Sequence, residues 1–271
     1  MIGMHSGLML AAVLTTGGGR PADSIATIAG SYHFYDGRPS PRFRLDVTAE
    51  GRFAVYSLNL AVIEENRGGA EVRDGRLILT PERPHKDLKE IGFRTKLTPV
   101  RWGERLVLVP EGREQAFCNV VNLGLPAQSL RWVAYIRKND EWIDDMIFDR
   151  PDVPPGWSSM LLKTPLQGRV VEVLADHRAR VDFGSDRGAM NGLAVWADLE
   201  AASSIGKGGW ACTVVEVSPN ECVIKIDPPI YSTLHFEAGK RVQTRHILAD
   251  LAESLQRKAP AASKASRTPN P

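Results

Sequence analysis

The residues in this 271-residue chain with the most capacity for chemistry are six histidines, three cysteines and one run of carboxylates. Asp140, Glu141, Asp144, Asp145, Asp149 and Asp152 offer enough oxygen for a Ca²⁺ ion, but they lack the Asp-x-Asp-x-Asp-Gly rhythm of a calcium loop. The interleaved Trp142, Ile143, Met146, Ile147 and Phe148 fit a strand with a solvated edge instead. His5, His33, His85, His177, His235 and His246 are scattered, with none paired at a metal-ligand interval. Cys212 and Cys222 flank the turn Ser218-Pro219-Asn220. A simple hairpin there sets Cys222 opposite residue 215 and Cys212 opposite residue 225, too far out of register for a disulfide. With no Cys-x-x-Cys, these two and Cys118 read as small buried hydrophobes.

Phosphate and nucleophile chemistry are equally weakly signalled. Gly184, Gly188 and Gly192 recur every four residues, but no Lys-Ser or Lys-Thr follows to make a phosphate loop. The spacing suits a wide turn with left-handed backbone and then a close strand crossing. Gly206-Lys207-Gly208-Gly209 reads as a hairpin tip, and Asp182 with Ser185 as turn caps, since Gly-x-Ser-x-Gly is absent. No metal and no cofactor is expected. The candidate ligand or partner surface comprises His33 and Tyr35 in the first strand and Phe117, Asn119 and Asn122, with Cys118, in the segment 110–126. His33 becomes a pocket residue if it points inward. The segment 110–126 is a long insertion where binding loops commonly sit, and its plainer reading is a packing loop with a short helical turn.

The elements that must position these residues are strands. Alternating or β-branched runs at 31–35, 43–47, 52–58, 70–72, 76–79, 92–97, 105–109, 132–137 and 142–148 follow one another from residue 25 to 148 without a helical period. Asp74-Gly75 and Glu50-Gly51 mark tight hairpins. Arg150-Pro151-Asp152-Val153-Pro154-Pro155-Gly156 cannot continue a central strand. The expected fold class is all-β: two small antiparallel barrels or sandwiches, over 25–150 and 166–243, joined by a Pro-rich linker at 151–165. A short helix over 244–257, capped by Thr244, and a disordered tail over 258–271 follow.

Ala29-Gly30-Ser31-Tyr32, Leu45-Asp46-Val47 with Glu50-Gly51-Arg52-Phe53, and Gly69 to Thr80 resemble the lipocalin-like β-barrel domains of bacterial envelope proteins. Ala70 and Glu71 stand where that pattern carries Trp, so the resemblance does not imply a ligand-holding calyx. Leu166 to Val173, Ala179 to Val195, Cys212 to Val217, Cys222 to Ile226 and Ala238 to Val242 resemble the SH3-like or OB-like barrels of envelope modules, including the C-terminal domain of the flagellar assembly T-protein. That pattern recurs in many roles and implies a barrel more than a function.

Composition bounds the rest. With 34 basic against 32 acidic residues, a net charge of +2 and 43% hydrophobic residues, the chain is an ordinary globular protein with no electrostatic reason to bind nucleic acid. The second domain also lacks a stacking stripe for single strands. No later run is long enough for a membrane span, so no stable insertion is expected. Residues 1–24 are either a signal peptide, on the apolar run Gly7 to Leu14, or a disordered tail, because no basic residue precedes that run. The reading is an exported periplasmic or secreted protein, with a cytoplasmic one as the alternative. Its function is non-catalytic: binding or scaffolding another envelope protein through loops or sheet edges. A carrier of a small apolar ligand and an enzyme of unrecognised type are the alternatives. The sequence leaves the oligomeric state open.

Overall fold

The computed structural model describes residues 24–35, 40–58, 61–83, 93–125, 127–140, 150–201, 208–226 and 234–244. Two closed antiparallel barrels organise them. The first is an eight-stranded meander: β1 Gly30–Phe34, β2 Phe43–Val47, β3 Arg52–Ser57, β4 Ile63–Arg73, β5 Arg76–Pro81, β6 Lys96–Trp102, β7 Arg105–Pro110 and β8 Tyr135–Arg137, with β8 returning to β1. The second closes six strands in the order β12-β13-β10-β9-β15-β11, through β9 Gln167–Leu174, β10 Arg178–Val181, β11 Ala194–Ala201, β12 Gly208–Val217, β13 Cys222–Ile226 and β15 Arg241–Gln243. β14, Leu234–His235, adds to β11 beside it.

Each barrel has its own core. Tyr32, Phe34, Phe43, Leu45, Phe53 and Leu108 meet inside the first, and Val181, Phe183, Val195, Val214 and Ile224 inside the second. A third cluster lies on the outer wall of β6, β7 and β8, where Val100, Trp102, Val107, Val109 and Ile136 are covered by other parts of the chain. That is why β7 is buried at every position: Leu106 and Leu108 face in, Val107 and Val109 face out, and neither set meets water. Its unbroken apolar run is the signature of a strand covered on both faces. Burying each such side chain contributes about 2 kcal/mol.

The turns follow their residue chemistry. Asp74 and Gly75 both take positive φ, 50° and 72°, so that Arg73 pairs directly with Arg76 in the two-residue hairpin the Asp-Gly pair predicts. In the second barrel Gly188 and Gly192 supply left-handed backbone, at φ 98° and 81°. Gly184 is different: its backbone is extended, and a Cβ there would lie 2.1 Å from the Ser218 carbonyl oxygen. The glycine spacing therefore serves two left-handed turns and one close crossing.

Several expected boundaries move. Ahead of the first expected strand, residues 25–28 form a one-turn helix, α1 Ile25–Ile28, which Ser24 caps by accepting from Thr27 N. The strand expected at 92–97 runs Lys96–Trp102, with Phe93 ahead of it buried in the core. The strand expected from Trp132 begins at Tyr135, because Ala127–Trp132 forms a 3-10 helix whose Leu130 carbonyl accepts from Val133 and Ala134. The partner strand expected at 142–148, the acidic run from Glu141 to Asp149, the Gly206-Lys207 tip and the helix and tail after Thr244 lie outside the described residues. The β12–β13 register differs as well. Val217 faces Cys222 and Cys212 faces Ile226, since Val215 bulges out of the ladder. All three cysteines are free and buried. Replacing Gly184 by Ala is expected to destabilise the protein by at least ~2 kcal/mol in urea unfolding. Gly69→Ala, where no atom lies within 4 Å of the added methyl, is expected to be neutral.

Candidate functional site

The segment 110–126 is where the expected site residues gather, and most of it is helix. α2, Glu114–Asn122, starts with an acid in its first turn and ends on Gly124 at φ 60°. Gly124 N donates to Val121 O and Leu125 N to Val120 O, which closes the helix in the reciprocal pattern that a C-terminal glycine permits. One face, Phe117, Cys118 and Val120, covers the outer wall of β6 to β8, and the Phe117 ring sits edge-on to Trp102 at 6.2 Å. The opposite face carries Gln115, Asn119 and Asn122, one turn apart.

That polar face is a pair of main-chain clamps. The Asn119 amide donates to Gly192 O at 2.8 Å and accepts from Ala194 N at 3.1 Å. The Asn122 amide donates to Met160 O at 2.9 Å and accepts from Leu162 N at 2.9 Å. Each side chain thus bonds the carbonyl of one residue and the N–H of the residue two further on, as a neighbouring strand would. Gln115 Nε2 donates to Asn119 Oδ1 at 3.2 Å and holds that amide in place. A Cβ at Gly192 would press on Gln115 at 3.3 Å, so this glycine serves both its own turn and the seat of the helix. Asn119 therefore ties the second barrel to the first, and Asn122 ties down the chain that connects them.

The Pro-rich segment is packed in the same way. Asp152 N donates to Arg101 O at 2.8 Å, Pro155–Met160 forms a 3-10 helix, and Trp157 and Leu161 enter the cluster with Phe117. Arg150 Nη2 donates to Leu161 O at 3.2 Å. On the far side Leu166 and Thr244 pair twice, Leu166 N donating to Thr244 Oγ1 at 2.8 Å and Thr244 N to Leu166 O at 3.0 Å. The hydroxyl expected to cap a helix thus accepts from Leu166 N.

His33 and Tyr35 lie elsewhere and do not join the helix residues. Tyr32 and Phe34 point into the barrel, so His33 between them faces outward, opposite Arg44 on β2, and does not line the interior. Tyr35 is buried under the Arg131 guanidinium, 5.5 Å from its ring centroid, and Arg131 also lies 5.8 Å from the ring of Trp132.

The barrel interior is filled at both ends. Phe34 and Tyr135 stack at 4.9 Å, and Phe93 meets Tyr135 and Phe43 edge-on at 6.3 Å each, where β1 ends and β2 and β8 begin. At the other end Ile28 of α1 joins the core and the Tyr32 hydroxyl donates to Ile28 O. Arg137 binds Thr27 O at 2.8 Å and Ala29 O at 3.3 Å while lying 5.8 Å from the Tyr32 ring centroid, fixing α1 across the opening. Burial pushes the Tyr32 phenol above its ordinary range, with Arg137 pulling the other way.

Outside the barrels, an open cleft of about 900 Å³ lies beside α1, between the Asp74-Gly75 turn and the Pro-rich segment. Val171 and Val215, both at bulges, and Val173 are exposed apolar residues of the second barrel. Among the described residues, no group of three or more His, Cys, Asp and Glu is placed to hold a metal ion, and no helix is long and apolar enough to cross a membrane. The protein is thus of the two-barrel all-β class. Compared with known proteins, the chain matches no family model and no curated protein.

Two measurements test this geometry. Asn119→Ala and Asn122→Ala each leave two main-chain groups without a partner and are expected to cost about 1–3 kcal/mol in denaturant unfolding. Asn119→Asp, which lacks the donor for Gly192 O, is expected to fall in the same range. Burial pushes the Cys118 and Cys222 thiols up to about 12, so both stay protonated at pH 8. Native protein is expected to leave them unlabelled by a thiol reagent, and denaturant to expose them. Because their folded values lie above the ordinary thiol range of about 8.5, this contribution to stability is complete below that pH and declines as pH rises toward 12.

Proposed function

We propose that the chain is a non-catalytic binding or scaffolding module of the bacterial envelope, exported to the periplasm or the exterior, which holds a protein partner on its outer surfaces. The observation that carries this reading is the filling of the first barrel at both ends, by the Phe34, Tyr135, Phe93 and Phe43 rings and by α1 under Arg137. An apolar ligand would have to displace that packing, which argues for recognition outside the barrel rather than for a carrier. The Asn119 and Asn122 clamps add to the argument. They hold two barrels in one fixed relation, which suits a body that presents two surfaces to one partner. The lipocalin-like and SH3-like likenesses belong to this proposal. The eight-stranded meander with Gly30-Ser31-Tyr32 opening against α1 supports the first, and the small six-stranded barrel with its glycine turns supports the second.

Native mass spectrometry of protein purified from its own cell fraction tests the proposal. The expected species begins near residue 20, on the usual length of a signal peptide of about 15–30 residues, and carries a protein partner. The Asn119→Ala/Asn122→Ala double variant is expected to lose most of that partner while both barrels remain folded. A stoichiometric apolar ligand would replace the proposal with the carrier. An unprocessed chain would end the export reading, and a processed chain with neither ligand nor partner would end the scaffold reading.

A further inference from the structure

We propose that Asn191-Gly192 is a deamidation site guarded by the joint between the barrels, and that modification there, once the joint has opened, keeps the Asn119 clamp from closing again. It is the one Asn-Gly pair in the chain. Asparagine is chemically labile, and most so ahead of glycine, where the missing Cβ lets the following main-chain nitrogen reach the side-chain amide. The pair holds the two central positions of a turn that Leu193 N closes by donating to Met190 O at 3.1 Å. Gly192 is required there twice over, by its φ of 81° and by the Gln115 side chain that a Cβ would press at 3.3 Å. Asn191 is required by neither. Its φ is negative, as most residues adopt at the first central position of a turn, and the residue is exposed. No hydrogen bond holds its side-chain amide among the described residues.

The nucleophile, by contrast, is tied down. Gly192 N donates to Val214 O at 2.8 Å, and Gly192 O accepts from the Asn119 amide at 2.8 Å. The second barrel thus holds one side of this glycine and α2 the other, and Gly192 N does not turn toward Asn191 Cγ while both bonds stand. A main-chain proton held in this way leaves only when the segment opens locally. Deamidation needs the same proton to leave, so its rate at Asn191 follows the opening of the joint.

Once the joint opens, Gly192 N gives its proton to water and attacks Asn191 Cγ. The new C–N bond closes a succinimide ring, and the side-chain nitrogen leaves as ammonia. Water then opens the ring. Attack at Cγ breaks the new bond and gives aspartate, whereas attack at the Asn191 main-chain carbonyl breaks the original peptide bond and gives isoaspartate, with the chain running through Cβ and Cγ. The isoaspartyl link adds one carbon to the main chain between Asn191 and Gly192, about 1.5 Å. A shift of that size exceeds the slack of the 2.8 Å bond to Asn119, and the bond from Ala194 N to the same amide goes with it. The inference rests on the geometry of the joint and not on export or a partner.

Ageing of the full-length protein in mildly alkaline buffer, followed by peptide mapping for isoaspartate, tests the proposal. Folded protein is expected to deamidate at Asn191 at least about tenfold more slowly than protein in denaturant, and Asn119→Ala to raise the folded rate about tenfold. Asn122→Ala, which frees Met160 and Leu162 but not Gly192, is expected to leave that rate unchanged and so controls for general destabilisation. Equal rates for folded and denatured wild-type protein would overturn the proposal, and this comparison stands even if a variant fails to fold. An Asn119→Ala rate no higher than wild type, or an Asn122→Ala rate equal to that of Asn119→Ala, would overturn it as well. The isoaspartyl form, separated chromatographically, is expected to exchange the Ala194 amide hydrogen faster than unmodified protein. Equal exchange would show that the clamp closes again and would overturn that half of the proposal.

Discussion

The run Leu106-Val107-Leu108-Val109 has no polar face, and that constraint organises the first half of the molecule. A meander barrel covers only the inner side of each strand and ordinarily leaves the outer side to water. Here Val107 and Val109, with Val100, Trp102 and Ile136 beside them, would present a continuous apolar wall to solvent if the barrel stood alone. α2 and the Pro-rich segment cover that wall. Once they do, Phe117, Trp157 and Leu161 become core residues, and the connection between the barrels loses the freedom of a linker. The placement of the second barrel follows from this cover, since the helix that shields the first barrel carries Asn119 on its other face.

The two barrels solve the problem of their ends differently. In the first, aromatic rings fill one end, and a one-turn helix held by Arg137 crosses the other. In the second, aliphatic side chains, two cysteines and the Phe183 and Phe236 rings make up the core, and glycines let the strands approach closely at Ser218 and Asp182. Its outer face over β9, β10 and β13 is knitted by Arg180, which lies 3.2 Å from Glu172 and 3.0 Å from Glu221. Pairs this exposed contribute little stability. They do leave the bulged Val171 as an apolar residue beside an otherwise charged face.

What could be read in the sequence was what local chemistry determines. The Asp74-Gly75 hairpin, the all-β class and the separation of Cys212 from Cys222 all rest on neighbours a few residues apart. The errors came where tertiary context overrides local preference. Ile25-Ala26-Thr27-Ile28 carries three β-branched residues, which favour strand, yet Ser24 and Arg137 hold it as helix. The Val215 bulge shifted a register that turn position alone could not fix. α2 was within reach, since Glu114 in the first turn and Gly124-x-Pro126 after the last are ordinary start and stop signals. The role of Asn119 was not, because its acceptor lies 73 residues away in sequence. His33, a pocket residue only on the condition that it points inward, faces outward because Tyr32 and Phe34 on either side of it both take the interior.

The two asparagine clamps touch only peptide groups at Gly192, Ala194, Met160 and Leu162. A grip of that kind is indifferent to side-chain identity along the gripped segments, apart from the glycine that admits Gln115. The outer faces of the second barrel can therefore drift through mutation without loosening the joint. Lineages carrying this architecture would be free to change what the distal barrel displays while inheriting one unchanged angle between the two halves.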